Sequence, residues 1–253
     1  MLANPTIEKL KSLKLTGMLK ALEEQMQGPG MSELGFFDRF ALLVDRELTE
    51  RENRRLKTRL KAARLRQPAA LEDIDYQHPR GLDKGLMASL ASCQWIASKR
   101  NVLITGATGV GKTYVACALA QKALREGHSA VYKRVPRLLH ELSVARVDGS
   151  YPKIMSGIAK TQVLILDDWG LSPLSAEQNR ELLELIEDRH GLKSTIITSQ
   201  LPVESWHEFM GDPTVADAIL DRVVHNAYRI NLKGESMRRI YAKKAGGECI
   251  PGQ

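Results

Sequence analysis

Gly106-Ala107-Thr108-Gly109-Val110-Gly111-Lys112-Thr113 is the stretch that decides the fold, because it matches the phosphate-loop pattern G-x-x-x-x-G-K-S/T at every fixed position. The apolar run before it, Asn101 to Thr105, predicts a buried strand, and residues 115–124 after it predict a helix. In this order the glycines let backbone N–H groups converge on phosphate oxygens, and the helix N-terminus adds partial positive charge. The stretch therefore predicts a nucleotide site made by all eight residues, with Lys112 on the β- and γ-phosphates and Thr113 on Mg²⁺.

Beyond the loop, short apolar runs alternate with helical patterns. Strands are expected over residues 129–132, 163–168, 194–200 and 228–232, with helices between them. Ser175-Ala176-Glu177-Gln178 has the form of a capping box and predicts a helix that ends near Gly191. Strands that alternate with helices predict an α/β fold, a parallel sheet with helices on both faces.

Two acids complete the predicted nucleotide site. Asp167 and Asp168 follow the aliphatic run 163–166, so they stand at the carboxyl end of a parallel strand, where ligands bind in open α/β sheets. We expect Asp167 to bind Mg²⁺ directly or through water, and Asp168 to orient or deprotonate the attacking water.

Three further polar residues are candidates for contact with the phosphates. Ser199 ends the strand that begins near Ser194, where it can touch the γ-phosphate and the water. Arg222 and Arg238 are candidates for a charge supplied to phosphate, since the planar guanidinium pairs with it bidentately. A surface salt bridge is the alternative for each arginine, and a plain strand end for Ser199.

The region before the strand at Asn101 predicts only helices at its start. Residues 6–26 carry an apolar stripe at helical spacing, Gly28-Pro29-Gly30 breaks it, and Ser32 can cap a second helix that runs to about Arg66. The stripe of the second helix is interrupted by a polar run at residues 51–55, where a break or bend is possible.

Gln67-Pro68 ends that helix, because the residue before proline avoids the α region. The sequence therefore predicts a helical N-terminal domain over residues 1–67 and an ATPase domain over residues 68–253.

Composition narrows the class of protein. The chain has 253 residues, no apolar run long enough to span a membrane, and no signal-peptide core at its start. Cys93, Cys117 and Cys249 are few and scattered, which favours reduced thiols in a cytoplasm over a disulfide frame or a zinc site. Residues 51–66 hold eight basic residues and one acid, a net charge of +7 that equals the charge of the whole chain. Localised positive charge suggests an anionic partner such as nucleic acid.

The order of these signals resembles that of a AAA+ ATPase. The phosphate loop, Asp167-Asp168, Ser199, Arg222 and the Gly234-to-Arg238 segment look like Walker A, Walker B, sensor 1, the box VII arginine finger and sensor 2. Longer strings are similar to the IstB-like family of transposition helper ATPases, related to the helicase loader DnaC. These strings are Asp73-Ile74-Asp75-Tyr76, Asn101 to Gly106, Leu164-Ile165-Leu166-Asp167-Asp168-Trp169-Gly170 and Thr198-Ser199-Gln200-Leu201-Pro202-Val203-Glu204-Ser205-Trp206-His207.

The resemblance implies a DNA-binding helper of transposition encoded beside a transposase. Such helpers bind ATP and Mg²⁺, form oligomers on duplex target DNA, and recruit and activate the transposase. In that setting Arg222 would act on the ATP of a neighbouring subunit and Arg238 on the ATP of its own chain. The usual Walker B glutamate is replaced here by Asp168, which is shorter, so we expect slow hydrolysis with ATP used mainly as an assembly signal.

Two other functions are weighed against this one. A DnaC-like replicative helicase loader would share the fold and differ in its partner gene and in its preference for single-stranded DNA. A small-molecule P-loop kinase would need an acceptor pocket and a lid.

Two basic clusters compete for DNA. Lys133, Arg134 and Arg137, with Arg146, follow the second strand of the ATPase core, where relatives in the DnaA and DnaC branch carry DNA-contacting elements. We expect this cluster to line the DNA path, with few contacts to base edges. The helix over residues 51–66 has more charge and is the second choice, and it is an equal candidate for binding the transposase.

Overall fold

The chain divides into two units, one that ends at Lys61 and one that begins at Ala62. A computed structural model describes residues 5–28 and 34–244, without the side chains of the last two. The predicted domain boundary at residue 67 lies slightly later than this division. The predicted helix cap at Ser32, most of the predicted break at residues 28–30, and Cys249 lie outside the described residues.

The N-terminal unit is built from three helices, α1 (Pro5–Ser12), α2 (Thr16–Gln27) and α3 (Phe36–Ala63), the last of which runs just past the division. The single helix expected over residues 6–26 is split, because Lys14 takes a left-handed conformation with φ of 56°. α3 continues without a break through the polar run at residues 51–55, where Arg51 donates to Glu47 one turn earlier at 2.7 Å. Buried Glu47 also accepts from the backbone N–H of Gly17 at 2.7 Å, which joins α2 to α3.

A five-stranded parallel sheet forms the centre of the second unit. Its strands are β1 (Asn101–Gly106), β2 (Ala130–Arg134), β3 (Val163–Trp169), β4 (Ser194–Ser199) and β5 (Ala227–Leu232), in the spatial order β2-β3-β4-β1-β5. Because every strand runs the same way, β1, β3 and β4 end at one edge of the sheet and bring the predicted nucleotide residues together. The predicted α/β fold is confirmed.

Helices surround this sheet. They are α4 (Lys84–Ala91), α5 (Gln94–Ala97), α6 (Lys112–Arg125), α7 (Val135–Asp148), α8 (Tyr151–Lys160), α9 (Ala176–Glu187), α10 (Trp206–Met210), α11 (Pro213–Val224) and α12 (Met237–Lys244). α6 packs against β1, β3 and β4, and its side chains from Val115 to Ala120 are buried. A large apolar cluster joins side chains of α7, α9 and α11 to those of β3 and β4. Among the described residues, no helix has the length and apolar character needed to cross a bilayer.

Local signals explain most element ends. The predicted capping box is present, since Ser175 accepts from the Gln178 N–H and the Gln178 side chain accepts in return from the Ser175 N–H. Cys93 separates α4 from α5, since its φ of 59° interrupts the helical backbone. α8 begins with Pro152 in its first helical turn, where the missing N–H of proline costs nothing.

Candidate nucleotide-binding site

The phosphate loop lies between β1 and α6, as the sequence predicts. Gly106, Gly109 and Gly111 have φ values of 143°, 87° and 101°, a backbone region that favours glycine. A Cβ atom at Gly106 would lie 2.1 Å from the carbonyl oxygen of Leu232 on β5. The loop therefore depends on glycine both for its backbone turn and for close contact with the neighbouring strand.

Lys112 is half-buried at the base of the loop. Its Nζ donates to the carbonyl oxygens of Gly106 at 2.8 Å and of Ala107 at 2.9 Å. Burial lowers the pKa of Lys112, while the nearby carboxylates of Asp167 and Asp168 act in the opposite direction. The ammonium group is thus held inside the loop, where a nucleotide's phosphates are expected.

Asp167, which is only 1% exposed, links the loop to β3. It accepts hydrogen bonds from the hydroxyl groups of Thr113 at 3.0 Å, Thr198 and Tyr132, and from Arg66 Nη1 at 3.2 Å. Burial, followed by the Asp167 hydrogen bond, raises the pKa of Tyr132, so this phenol stays a donor. The two predicted Mg²⁺ ligands, Thr113 and Asp167, are therefore in direct contact.

Oxygen donors of this kind fit Mg²⁺, which usually takes one or two protein oxygens and completes its shell with phosphate and water. Within the described part of the chain, no cluster of three or more histidine, cysteine or acidic side chains could hold a metal by itself. A nucleotide's phosphates would thus have to supply the remaining ligands.

Asp168 is turned away from the regular alternation of β3. Its φ is 62°, and the pairing of β3 with β4 shifts between Leu166 and Trp169. Its carboxylate accepts from Arg134 Nε at 2.7 Å. Asp168 therefore lies beside Asp167, but its carboxylate is paired with Arg134, which the sequence assigns to DNA binding.

Ser199 points away from the phosphate loop. It is fully buried, and its hydroxyl donates to the Trp169 carbonyl at 2.7 Å and accepts from the Leu201 N–H at 3.0 Å. Its neighbours face the site instead: Thr198 contacts Asp167, and Gln200 Oε1 accepts from Thr108 Oγ1 at 2.8 Å. Because strand side chains alternate, Ser199 faces the opposite side of the sheet from Thr198.

Arg238 lines a cavity of about 410 Å³ beside the loop, a size within the range of ligand sites. The wall is made by the loop, the start of α6, the segment before α4, and α12. Its residues are Arg66, Gln67, Asp73, Asp75, Arg80, Gly109, Gly111, Lys112, Thr113, Tyr114, Met237, Arg238 and Tyr241.

Hydrogen bonds to loop carbonyls hold α12 and the segment before α4 against the loop. The Met237 N–H donates to the Gly109 carbonyl at 2.9 Å. The buried side chain of Arg80 donates to the carbonyls of Val110 at 3.2 Å and Asp75 at 2.9 Å. The cavity is thus a built extension of the phosphate loop, suited to the base and sugar of a nucleotide.

Arg222 lies at the opposite edge of the sheet. Its guanidinium donates to the Ala218 carbonyl at 2.7 Å and pairs with Glu187 at 2.8 Å, and its carbonyl accepts from the Asn101 side chain. Asn101 begins β1 and the loop follows the end of that strand, so Arg222 is separated from the loop by the strand's length, about 16 Å. From this position Arg222 cannot contact the nucleotide of its own chain. Its predicted contact with the nucleotide of a neighbouring subunit is compatible with this position.

The residues predicted for DNA have acidic neighbours. Lys133 pairs with Glu141, and Arg146 pairs with Glu181 at 3.0 Å and stacks over the Tyr151 ring. Arg134 pairs with Asp168, as described above. Arg137, which is 80% exposed on its side chain, lies 3.7 Å from Glu141. The structure brings Lys133, Arg134 and Arg137 to the end of β2 and the first turn of α7.

Four residues of the site are not identified by sequence reasoning: Arg66, Tyr132, Thr198 and Gln200. Thr198 and Gln200 flank the predicted Ser199 at the end of β4. In the sequence, Arg66 stands out only as part of a basic run, and Tyr132 only as part of a strand.

Comparisons with known proteins agree with this geometry. The family described as IstB-like ATP binding protein matches residues 8–245. An insertion sequence ATP-binding protein of Sinorhizobium fredii is 49% identical over 97% of this chain and 100% of its own length. The insertion sequence IS21 ATP-binding protein of Pseudomonas aeruginosa is 32% identical over 94% of this chain and 89% of its own length.

Solved structures share the fold over about two thirds of this chain. DnaI gives a TM-score of 0.56 at 24% identity, covering 66% of this chain and 95% of that one. The DnaC helicase loader gives a TM-score of 0.52 at 22% identity, covering 63% of this chain and 95% of that one. The family match over nearly the whole sequence and the 49% identity to the Sinorhizobium fredii protein show that the chain belongs to the IstB-like ATP binding protein family.

Proposed function

We propose that this chain is a Mg²⁺-dependent ATPase that assembles on duplex DNA and helps a partner transposase. The observation that carries the nucleotide part is the contact between Thr113 and Asp167, which joins the phosphate loop to the acid of β3. This arrangement places one ammonium, one hydroxyl and one carboxylate around the point where the terminal phosphates of ATP are expected.

Each residue has a role that follows from its position. Lys112 binds the β- and γ-phosphates, and Thr113 and Asp167 hold the metal. Bound Mg²⁺ supplies positive charge that stabilises the phosphate oxygens during hydrolysis. Asp168 orients or deprotonates the attacking water once its pair with Arg134 opens.

Gln200 is our candidate for the polar group that reads the γ-phosphate, the role that the sequence suggested for Ser199. It is exposed, follows the end of β4 and already contacts Thr108 of the loop. Ser199 instead fixes the backbone at Trp169 and Leu201, so it positions the strand ends.

Self-assembly would complete the site. Arg222 lies too far from the nucleotide of its own chain, so we assign it to the nucleotide of a neighbouring subunit, where a guanidinium stabilises charge on the phosphates. Arg238 lines the cavity of its own chain and would act there. ATP binding then favours an oligomer, and Asp168, in place of glutamate, makes hydrolysis slow.

Duplex DNA is the proposed anionic partner, with Lys133, Arg134, Arg137 and Arg146 on its path. The printed names of the relatives tie them to insertion sequences, which supports a transposase partner and a site of action in the bacterial cytoplasm, where such DNA lies. The helicase-loader alternative is supported only by the shared fold, and the family match gives no support to a small-molecule kinase.

Binding of fluorescent duplex DNA tests this function. Wild-type protein should bind duplex DNA with ATP and Mg²⁺ and release phosphate, and Lys112→Ala should do neither. Replacing Lys133, Arg134 and Arg137 with alanine should weaken binding and reduce the salt slope by about 0.9 for each lost phosphate contact.

A matched control removes the same charge elsewhere, by replacing Arg54, Lys57 and Lys61 of α3 with alanine. If the control loses duplex binding and the first triple variant keeps it, the DNA path belongs to α3. Preference for single-stranded DNA together with binding to a replicative helicase would favour the loader alternative.

A further inference from the structure

Arg66 brings a positive charge to the two acids of the nucleotide site. The proposed function gives this arginine no role. Its Nη1 lies 3.2 Å from Asp167 Oδ2 and 3.8 Å from Asp168 Oδ2. It also lines the cavity that Lys112 and Thr113 line. Arg66 belongs to the same unit as these residues, which begins at Ala62.

The backbone beside Arg66 is anchored, whereas its side chain is accessible. Ala63, the last residue of α3, is buried, and backbone groups of Arg66 and Gln67 hydrogen-bond the thiol of Cys117 on α6. Cys117 is fully buried one turn after Thr113. The Arg66 side chain is 40% exposed, so the guanidinium can change partner while its backbone stays beside the phosphate loop.

A metal ion and the guanidinium cannot share Asp167 without cost. Mg²⁺ binds carboxylate oxygens at about 2.1 Å and would stand within a few ångströms of Nη1, where like charges repel strongly. Thr198 contacts Oδ1, Thr113 contacts both carboxylate oxygens, and Tyr132 and Arg66 contact Oδ2. Metal binding therefore favours removal of Arg66 from the carboxylate.

Phosphate oxygens are the strongest acceptors that a nucleotide would bring into this cavity. A guanidinium pairs with phosphate through two parallel hydrogen bonds, and these charge-assisted bonds are about twice as strong as neutral ones. We propose that Arg66 is an additional phosphate-binding residue, which moves from Asp167 to the phosphates when the nucleotide binds and thereby frees the carboxylate for Mg²⁺. This inference rests on the proposed nucleotide binding. It means that Arg66, in the segment after α3, changes its partner when the nucleotide binds.

The test separates a phosphate ligand from a structural residue by measuring nucleotide binding with and without the metal. A fluorescent ATP analogue is titrated with wild type, Arg66→Ala and Arg64→Ala, in EDTA and in Mg²⁺. Arg64 is exposed and lies two residues away, so its removal subtracts the same charge. Hydrolysis is not needed for this readout.

In EDTA, Arg66→Ala should bind the analogue about tenfold more weakly than wild type, since a charge-assisted contact to phosphate is lost. In Mg²⁺ the loss should be smaller, because the variant also removes the cation that opposes the metal at Asp167. The gain in affinity on adding Mg²⁺ should therefore be larger in Arg66→Ala than in wild type and Arg64→Ala.

An unchanged gain on adding Mg²⁺, whether or not overall affinity falls, would overturn the inference and leave the proposed function standing. Failure of wild type to bind the analogue would overturn the proposed function itself. Should Arg66→Ala unfold, Arg66→Lys carries the test, since it keeps the charge and loses the bidentate fork. It is expected to weaken binding in EDTA, and equality with wild type there counts against Arg66 as a phosphate ligand.

Discussion

Gly109→Ala should detach α12 from the phosphate loop and weaken nucleotide binding. A Cβ atom at Gly109 would lie 2.3 Å from Ser236 Oγ, 2.8 Å from Ser236 Cβ and 3.3 Å from its Cα. The hydroxyl can rotate away, but Cβ and Cα belong to the connection between β5 and α12. That connection must move, and with it the hydrogen bond from the Met237 N–H to the Gly109 carbonyl.

The cost can be summed from its parts. A side chain at a positive φ such as the 87° of Gly109 costs about 1 kcal/mol, and the lost hydrogen bond costs about 1 kcal/mol more. Met237, Arg238 and Tyr241 of α12 form one wall of the cavity. If the position of α12 against the loop is destabilised by about 2 kcal/mol, nucleotide affinity should fall roughly 30-fold.

Fluorescence anisotropy with an ATP analogue measures this loss. Gly127→Ala is the matched control, since its φ of 93° carries the same backbone strain but no atom lies within 4 Å of the added Cβ. The control should lose stability without losing nucleotide affinity. Adding Ser236→Gly to Gly109→Ala should restore part of the affinity. Equal affinities of Gly109→Ala and Gly127→Ala would refute the reasoning.

Four other predictions follow from the site. Gln200→Ala should lower ATP turnover, measured by phosphate release, while keeping nucleotide affinity. Ser199→Ala should mainly lower the melting temperature, measured by thermal denaturation. The reverse pattern would assign contact with the γ-phosphate to Ser199. Asp168→Asn should bind ATP and hydrolyse it poorly, trapping assemblies on DNA, and wild-type turnover would remove Asp168 from its role. Arg222→Ala should bind ATP as a monomer and lose ATP-dependent oligomers by sedimentation, so normal oligomers would contradict its action between subunits. Burial lowers the pKa of Lys112, so its positive charge is complete at low pH and is lost as pH rises through the lowered pKa. The affinity for ATP should therefore begin to fall at a pH below the ordinary lysine pKa of about 10. In Lys112→Arg, any residual affinity for ATP should not change with pH over this range.

Local patterns in the sequence predict the centre of this site well. The phosphate loop is a contiguous motif whose residue types are fixed by the backbone turn and the phosphates. Asp167 follows the aliphatic run of β3, and the direction of that strand fixes its edge of the sheet. Such features depend on neighbours in sequence, so they can be read without coordinates.

Contacts between distant segments could not be predicted in the same way. Arg66 and Asp167 are 101 residues apart in sequence, and only the packing of the segment after α3 against α6 brings them together. Ser199 and Gln200 show a smaller difficulty, because the side that a strand residue faces depends on where the strand ends. The acid partners of Lys133, Arg134 and Arg146 likewise come from α7, β3 and α9, which the basic residues alone do not reveal.

Mass photometry of wild-type protein with a short DNA duplex tests the central claim most directly. The measurement compares a non-hydrolysable ATP analogue, ADP and no nucleotide, each with Mg²⁺, and repeats the first condition with Lys112→Ala. We predict an oligomer on the duplex only for wild type with the ATP analogue. The same DNA-bound species without nucleotide, or with Lys112→Ala, would contradict the account of an ATP-controlled assembly.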